Sequence, residues 1–262
     1  MNAAFDTYFE TVFGARWPSL RTALCEAPAK VYLRSPFAGG EFEASRVVLE
    51  NSYSLDLASL EPVFALGLQP DESFLDLCAA PGGKSLTALY LTRGRIDARF
   101  NDSSRDRLQR LKAVLYDFCP KEVVERARIT CSDGARIGGR EPESYDKVLA
   151  DVPCSAERHH LLDNKSQWSQ GTSKGLSVRQ HSILCSAMDA CKPGGRVVYS
   201  TCSLSPLEND GVIEKLLKSR KGQFEIASAS REMGEPTKHG RIILPDTSEA
   251  FGPIYFAVLN KT

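Results

Sequence analysis

The 262 residues are 42% hydrophobic and 25% charged, a globular composition with room for one large α/β domain and a smaller appendage. Lysine plus arginine (33) equals aspartate plus glutamate (33), so no overall basic excess marks the surface for nucleic acid, although a local basic cleft remains compatible with it. No apolar run approaches the roughly 18 residues that a membrane span needs, and eight cysteines without a CxxC or a Cys/His ligand pair read as free thiols in a reducing compartment, with no metal site.

Phe5–Phe13 and Ser19–Leu24 are predicted as short amphipathic helices, with Phe5, Tyr8, Phe9, Val12 and Phe13 at helical spacing and Pro18 suited to a first turn. Asp6 and Glu10 set this start apart from an Arg-rich transit or signal peptide, so a presequence is expected to be missing from the sequence or unrecognisable in it. Ala27–Ser54, with Pro28, Pro36, Gly39 and Gly40, reads as an irregular connector. Lys30, Arg34 and Arg46 make it the most basic part of the N-terminal third, more simply a solvated face than an RNA contact. The expected division is an N-terminal helical and irregular appendage over residues 1–55 and a main domain over residues 56–262.

From Asp56 the pattern becomes regular. Leu57, Leu60, Val63, Phe64 and Leu66 predict a helix that Gly67 ends. The run Ser73–Leu77 predicts a buried strand, followed by the small-residue turn Cys78-Ala79-Ala80-Pro81-Gly82-Gly83-Lys84 and a helix over Ser85–Thr92. Gly82 and Gly83 allow a sharp turn and close approach of a ligand, and ligands of open α/β sheets bind outside such strand ends. The spacing is not that of a P-loop. Arg95–Phe100 is the next predicted strand, with Asn101 and Asp102 at its end; an acid about 20 positions past a glycine loop can accept hydrogen bonds from ribose hydroxyls. Arg105–Phe118 is amphipathic and helical.

A third strand, Arg128–Cys131, ends in Ser132-Asp133-Gly134, where Asp133 is placed to accept from an adenine amino group and Gly134 lets the chain turn. Tyr145–Val152 is nearly all apolar, as a central parallel strand is, and ends in Asp151-Val152-Pro153-Cys154-Ser155. Val178–Cys191 reads as helix, Arg196–Ser200 as a fifth strand ending in Thr201-Cys202-Ser203, and Pro206–Leu217 as helix. Phe224–Ala227 and Ile254–Leu259 are the last predicted strands. Strand–helix alternation with polar residues at every strand end implies a doubly wound, mostly parallel α/β sheet.

Cys154 and Cys202 both fall at strand carboxyl ends, on the rim of the glycine loop. Cys25, Cys119, Cys131, Cys185 and Cys191 read instead as small hydrophobes. A rim thiolate suits methylation of cytosine at C5: sulfur adds to C6, the ring becomes an enamine nucleophilic at C5, and loss of the C5 proton later expels the sulfur.

The string D-L-C-A-A-P-G-G-K (Asp76–Lys84) resembles the cofactor motif of the Sun-domain RNA (cytosine-5)-methyltransferases, and N-D, S-D-G, D-V-P-C and S-T-C-S-L follow in family order over about Asp56–Thr262. The resemblance implies a Rossmann-like fold that uses S-adenosylmethionine, held by Cys78, Ala79, Ala80, Pro81, Gly82, Gly83, Lys84, Asp102, Arg107, Asp133, Gly134 and Asp151. It implies Cys202 as nucleophile, Cys154 as the residue assisting release of the methylated base, and Asp151 as a hydrogen-bond partner of the cytosine edge near N3. The segments Phe13–Arg21, Ala65–Pro70 and Phe251–Phe256 look most like the mitochondrial ribosomal-RNA branch of that family. That branch implies ribosomal RNA as substrate, the mitochondrial matrix as location, no membrane, and a helical-repeat partner of the mitochondrial transcription-termination-factor family during large-subunit assembly. The stretch 159–175 has weak similarity and is expected to be a loop that shapes substrate choice; His159 and His160 read as exposed loop. Two alternatives stand beside this: a DNA-type enzyme in which Cys154 attacks, and an assembly scaffold that keeps the fold without needing turnover.

Overall fold

The computed structural model describes residues 3–163, 168–229 and 231–262, so 164–167 of the expected loop and the first two residues lie outside the described residues. The helices are α1 (Ala3–Phe13), α2 (Trp17–Cys25), α3 (Glu61–Leu66), α4 (Gly83–Leu91), α5 (Arg105–Phe118), α6 (Lys121–Arg126), α7 (Ile137–Arg140), α8 (Glu157–Asp163), α9 (Gln170–Ala190) and α10 (Asp210–Ser219). The strands are β1 (Val31–Arg34), β2 (Glu43–Ser45), β3 (Tyr53–Leu55), β4 (Ser73–Asp76), β5 (Asp97–Asp102), β6 (Arg128–Cys131), β7 (Tyr145–Asp151), β8 (Cys191–Thr201), β9 (Phe224–Ala227), β10 (Glu235–Pro236), β11 (Arg241–Ile243) and β12 (Ile254–Lys261).

The main sheet runs β10-β11-β12-β8-β7-β4-β5-β6, with β9 also paired to β12. Its centre, β8-β7-β4-β5-β6, is parallel, and β12 closes it antiparallel against β8. Successive residues of a strand point to opposite faces, and the core divides accordingly. Leu75, Val148, Val197 and Tyr199 face α1, α2, α9 and α10. Phe74, Leu149, Val198 and Phe256 face α3, α4 and α5. Both faces are covered, which is why these strands read as continuous apolar runs. The doubly wound, mostly parallel α/β fold is as the sequence predicts.

Four local expectations change. The stretch read as an irregular connector is a three-stranded antiparallel sheet, β2-β1-β3; strands this short, separated by Pro36, Gly39 and Gly40, leave no periodicity to detect. Asn101 and Asp102 belong to β5 itself. Much of the expected 159–175 loop is helix: α8 covers its start, and α9 begins at Gln170, where Ser169 Oγ accepts from Thr172 N at 3.1 Å. The hairpin β10–β11 was not expected at all.

The N-terminal helices share the core of one sheet face. Phe5, Phe9, Trp17, Leu20 and Leu24 are buried there, Phe9 stacks on Trp17 at 5.2 Å and lies 5.2 Å from Trp168, and Arg16 reaches Glu235 and Asp246 at 2.6 Å each. Truncating a buried Phe costs about 3–5 kcal/mol, so Phe9→Ala should lower unfolding stability by that amount. Urea melts followed by tryptophan fluorescence and far-UV circular dichroism should move together; an early, separate fluorescence transition would mean that α1 and α2 are peripheral to the domain.

Candidate active site

Strand order reverses between β4 and β7: from β4 the chain winds outward to β5 and β6, then returns to the other side. The crevice at such a switch point is where open α/β sheets bind ligands. The turn leaving β4 is stitched to its neighbours, Leu77 N donating to Leu149 O at 3.0 Å and Ala79 N to Asn101 O at 2.7 Å. Gly82 has φ +121°, a region that side chains rarely enter, and a Cβ there would meet Leu111 and Val114 of α5. A Cβ on Gly83 would come within 3.1 Å of the Tyr53 ring of β3.

Two adjacent cavities open on this turn. The first is lined by Leu77, Cys78, Asp102, Arg107, Gly134 and Ile183 among others; the second by Cys78 through Lys84, Asp151, Asp76 and Tyr53. The buried Asp102 carboxylate accepts from Ser104 N at 2.9 Å and Ala80 N at 3.3 Å, with Arg107 Nη1 at 3.3 Å. Arg107 also donates to the Ala80 carbonyl, so it braces the turn. Asn101 ties three strand ends together: Nδ2 donates to Leu77 O at 3.0 Å and Ser132 O at 2.9 Å, while Oδ1 accepts from Thr130 Oγ1 at 3.0 Å. Gly134 brings its Cα side against the Leu77 carbonyl, within 3.2 Å of where a Cβ would stand. A strand-end carboxylate, a glycine wall and apolar Ile183 suit a ligand carrying hydroxyls and a flat ring. Asp133 stands apart, its carboxylate paired to Arg179 and near Arg136, and the Arg179 hydrogen bond holds its pKa below the usual range.

In the second cavity Lys84 Nζ lies 2.8 Å from Asp151, whose other oxygen accepts from Ser200 Oγ at 2.7 Å. Burial disfavours the Lys84 ammonium, but the charge and hydrogen bond of Asp151, with Cys202 and Asp76 facing it, overcome that and raise its pKa. It is a cation at neutral pH. Burial pushes the Asp76 carboxyl up to about 7, against the Ser85 hydroxyl at 2.9 Å that favours its charge; Asp151 adds to the rise.

Beside this pair, Cys154 Sγ and Cys202 Sγ are 2.8 Å apart, both free and half-buried. Cys202 N lies 3.3 Å from Cys154 Sγ. The hydrogen bond to Cys202 and burial hold the Cys154 thiol well above its ordinary pKa. Cys78 is also pushed up, by burial and then Asp76 and Asp102, and stays an inert thiol. The structure thus brings together Cys202, Cys154, Asp151 and Lys84, and sets Asp102, Arg107 and Gly134 in the adjoining cleft. Sequence reasoning did not single out Tyr53, Asn101 or Asp76, although the last two stand inside quoted motifs. Glu157 and Glu208, under the cysteines, carry no sequence signal of their burial.

An unfolded aspartate titrates near 3.9, and the folded Asp76 carboxyl titrates near 7. Between those pH values the folded state binds more protons, so the stability contributed by this group is full below about pH 4 and lost as pH rises through about 7. Asp76→Asn should remove that decline, and its urea midpoint relative to the unsubstituted protein should rise between pH 5 and pH 8. Parallel midpoints for the two proteins across that range would contradict the burial of a titrating carboxyl here.

The fold recurs in solved structures. It superposes on NSun6 from Pyrococcus horikoshii, solved with SFG, with a TM-score of 0.83 at 16% identity over 99% of this chain and 98% of that one. A methyltransferase homolog from the same organism gives 0.76 at 22% identity over 95% and 92%. In sequence, the chain is 39% identical to the Bos taurus 5-cytosine rRNA methyltransferase NSUN4 over 232 residues, 81% of this chain and 60% of that protein. It is 37% identical to the Mus musculus mitochondrial tRNA (cytosine(34)-C(5))-methyltransferase over 81% of this chain and 64% of that one. The chain therefore spans somewhat under two thirds of these relatives. Residues 63–260 match the family described as 16S rRNA methyltransferase RsmB/F, and with the glycine turn, Asp102 and the paired cysteines inside that span, the chain belongs to this family.

Proposed function

We propose that the protein is an S-adenosylmethionine-dependent RNA (cytosine-5)-methyltransferase that acts on ribosomal RNA. The observation that carries this is the contact of two thiols at 2.8 Å on neighbouring strand ends, beside a lysine–aspartate pair. Asp102, Arg107, Gly134 and the turn Cys78–Lys84 are the residues that would hold S-adenosylmethionine, whose bound sulfonium supplies the methyl group. Asp133 joins them only if its carboxylate leaves Arg179.

The chain's own groups divide the remaining work. Cytosine C5 is not nucleophilic, and addition of Cys202 Sγ to C6 makes it so. Lys84 places a positive charge facing the sulfur that must carry negative charge to add. Asp151 is held by Lys84 and Ser200 with oxygens available to the N3 edge of the base. As the C5–H electrons form the C5=C6 bond and expel Cys202 Sγ from C6, Cys154 gives its thiol proton to that sulfur, and the C5 proton passes, through solvent water, to the Cys154 thiolate that this leaves. We assign the attack to Cys202 because its T-C-S segment matches the nucleophile segment of the resembled family and Lys84 faces its sulfur.

The naming of the mouse tRNA relative supports a mitochondrial setting, within which the matrix is our own assignment, and its similarity, close to that of the bovine rRNA relative, makes transfer RNA the second substrate to test. Zero net charge supports a basic helical-repeat partner that presents RNA to the site. Bisulfite sequencing of mitochondrial rRNA and tRNA with and without the protein decides between substrates; no lost methylcytosine in either would favour a scaffold.

Asp102→Ala should weaken S-adenosylmethionine binding by about 1.5–3 kcal/mol, as for hydrogen bonds to a charged group, measured by calorimetry. Cys202→Ala should abolish methyl transfer, whereas Cys154→Ala should accumulate a covalent protein–RNA adduct on denaturing gels. An adduct in Cys202→Ala and none in Cys154→Ala would assign the attack to Cys154.

A further inference from the structure

Two carboxyl side chains, Glu157 and Glu208, are completely buried beneath the cysteines. Their hydrogen bonds cross. Glu208 follows Cys202 in the chain, yet its Oε2 accepts from Ser155 N, next to Cys154, at 3.0 Å and from Gln180 Nε2 at 2.7 Å. Glu157 follows Cys154, yet it accepts from Leu204 N at 2.9 Å and Ser203 Oγ at 3.0 Å, on the segment of Cys202. Each acid therefore grips the backbone that carries the other cysteine.

Ser155 Oγ is the hub. It lies within hydrogen-bond distance of Oε1 of both acids, and 3.0 Å from Ser203 Oγ. One hydroxyl proton serves one carboxylate, so a hydrogen bond to the second acid requires a proton on that acid, donated to the serine oxygen. Among the described residues neither acid has a lysine or arginine partner, and two uncompensated charges at this depth would be prohibitive. Burial first of all raises the Glu157 pKa, and the Glu208 charge adds to that.

We propose that Glu157 and Glu208 are positioning residues: an acid–carboxylate pair sharing one proton through Ser155, which clasps the two cysteine segments across each other and sets the contact between Cys154 and Cys202. This rests on the proposed function only in assigning that contact to catalysis, so the test reads the thiol pair directly.

Phenylarsine oxide bridges two adjacent thiols: two S–As bonds form and the arsenic oxygen leaves as water with both thiol protons, with no change of oxidation state. The full chain should retain one equivalent in excess 2-mercaptoethanol by intact mass, and Cys154→Ser should retain none at this site. Glu157→Ala and Glu208→Ala should each lose about tenfold or more of that retention, the scale of hydrogen bonds to a charged group. Glu157→Gln and Glu208→Gln, which mimic the protonated member and leave one carboxylate, should each stay within about twofold. Wild-type retention in the alanine variants would overturn the clasp; single Gln variants as impaired as alanine would overturn the shared proton. If the alanine variants do not fold, Ser155→Ala decides, because it deletes only the hub: lost retention at an unchanged unfolding midpoint supports the proposal and full retention defeats it. Either result stands whether or not an RNA substrate is methylated.

Discussion

The register of β7 against β8 is the constraint on which the site depends. With Asp151 opposite Ser200, the two parallel strands end level and release their chains at one rim. Side chains alternate along a strand, so a slip of β7 by one residue would turn Val148 out of one core and Leu149 out of the other, and a slip of β8 would do the same to Val197 and Val198. Register is therefore fixed by burial on both faces. The Ser200–Asp151 hydrogen bond at 2.7 Å adds a polar lock at the end. Everything reactive hangs within a few residues of that lock.

The chain as a whole is neutral, but the rim is sharply polarised. Asp76, Asp102 and Asp151 end three parallel strands side by side, and Lys84 and Arg107 reach in from the following helices to offset them. The two sulfurs sit in different fields: Lys84 faces Cys202, while Cys154 feels the buried acids behind it.

Much of this was legible because the central strands are apolar on both faces and punctuated by glycine, proline or a cap at each end. The motifs at the rim lie within those punctuation marks, so they could be placed on strand ends without coordinates. Other parts were hidden for physical reasons. β1–β3 are too short for alternation to register. The first half of α9 escaped because it buries Ser173, Ser177 and Gln180 against polar partners, erasing the apolar stripe that marks a helix. The burial of Glu157 and Glu208 depends on contacts distant in sequence, and Asp76 reads as an ordinary strand aspartate until its depth is known.

Tyr53 and Gly83 belong to distant parts of the chain, yet they occupy one volume. The ring fills the space a Cβ on Gly83 would need, and it is held edge-on against Phe118, 5.5 Å away. The ligand-facing turn is thus gripped like a page between two covers, one from the small N-terminal sheet and one from α5. Enlarging residue 83 and displacing residue 53 press on the same contact from opposite sides. The shape of the crevice is in this sense partly set by a residue that precedes the main domain's first parallel strand.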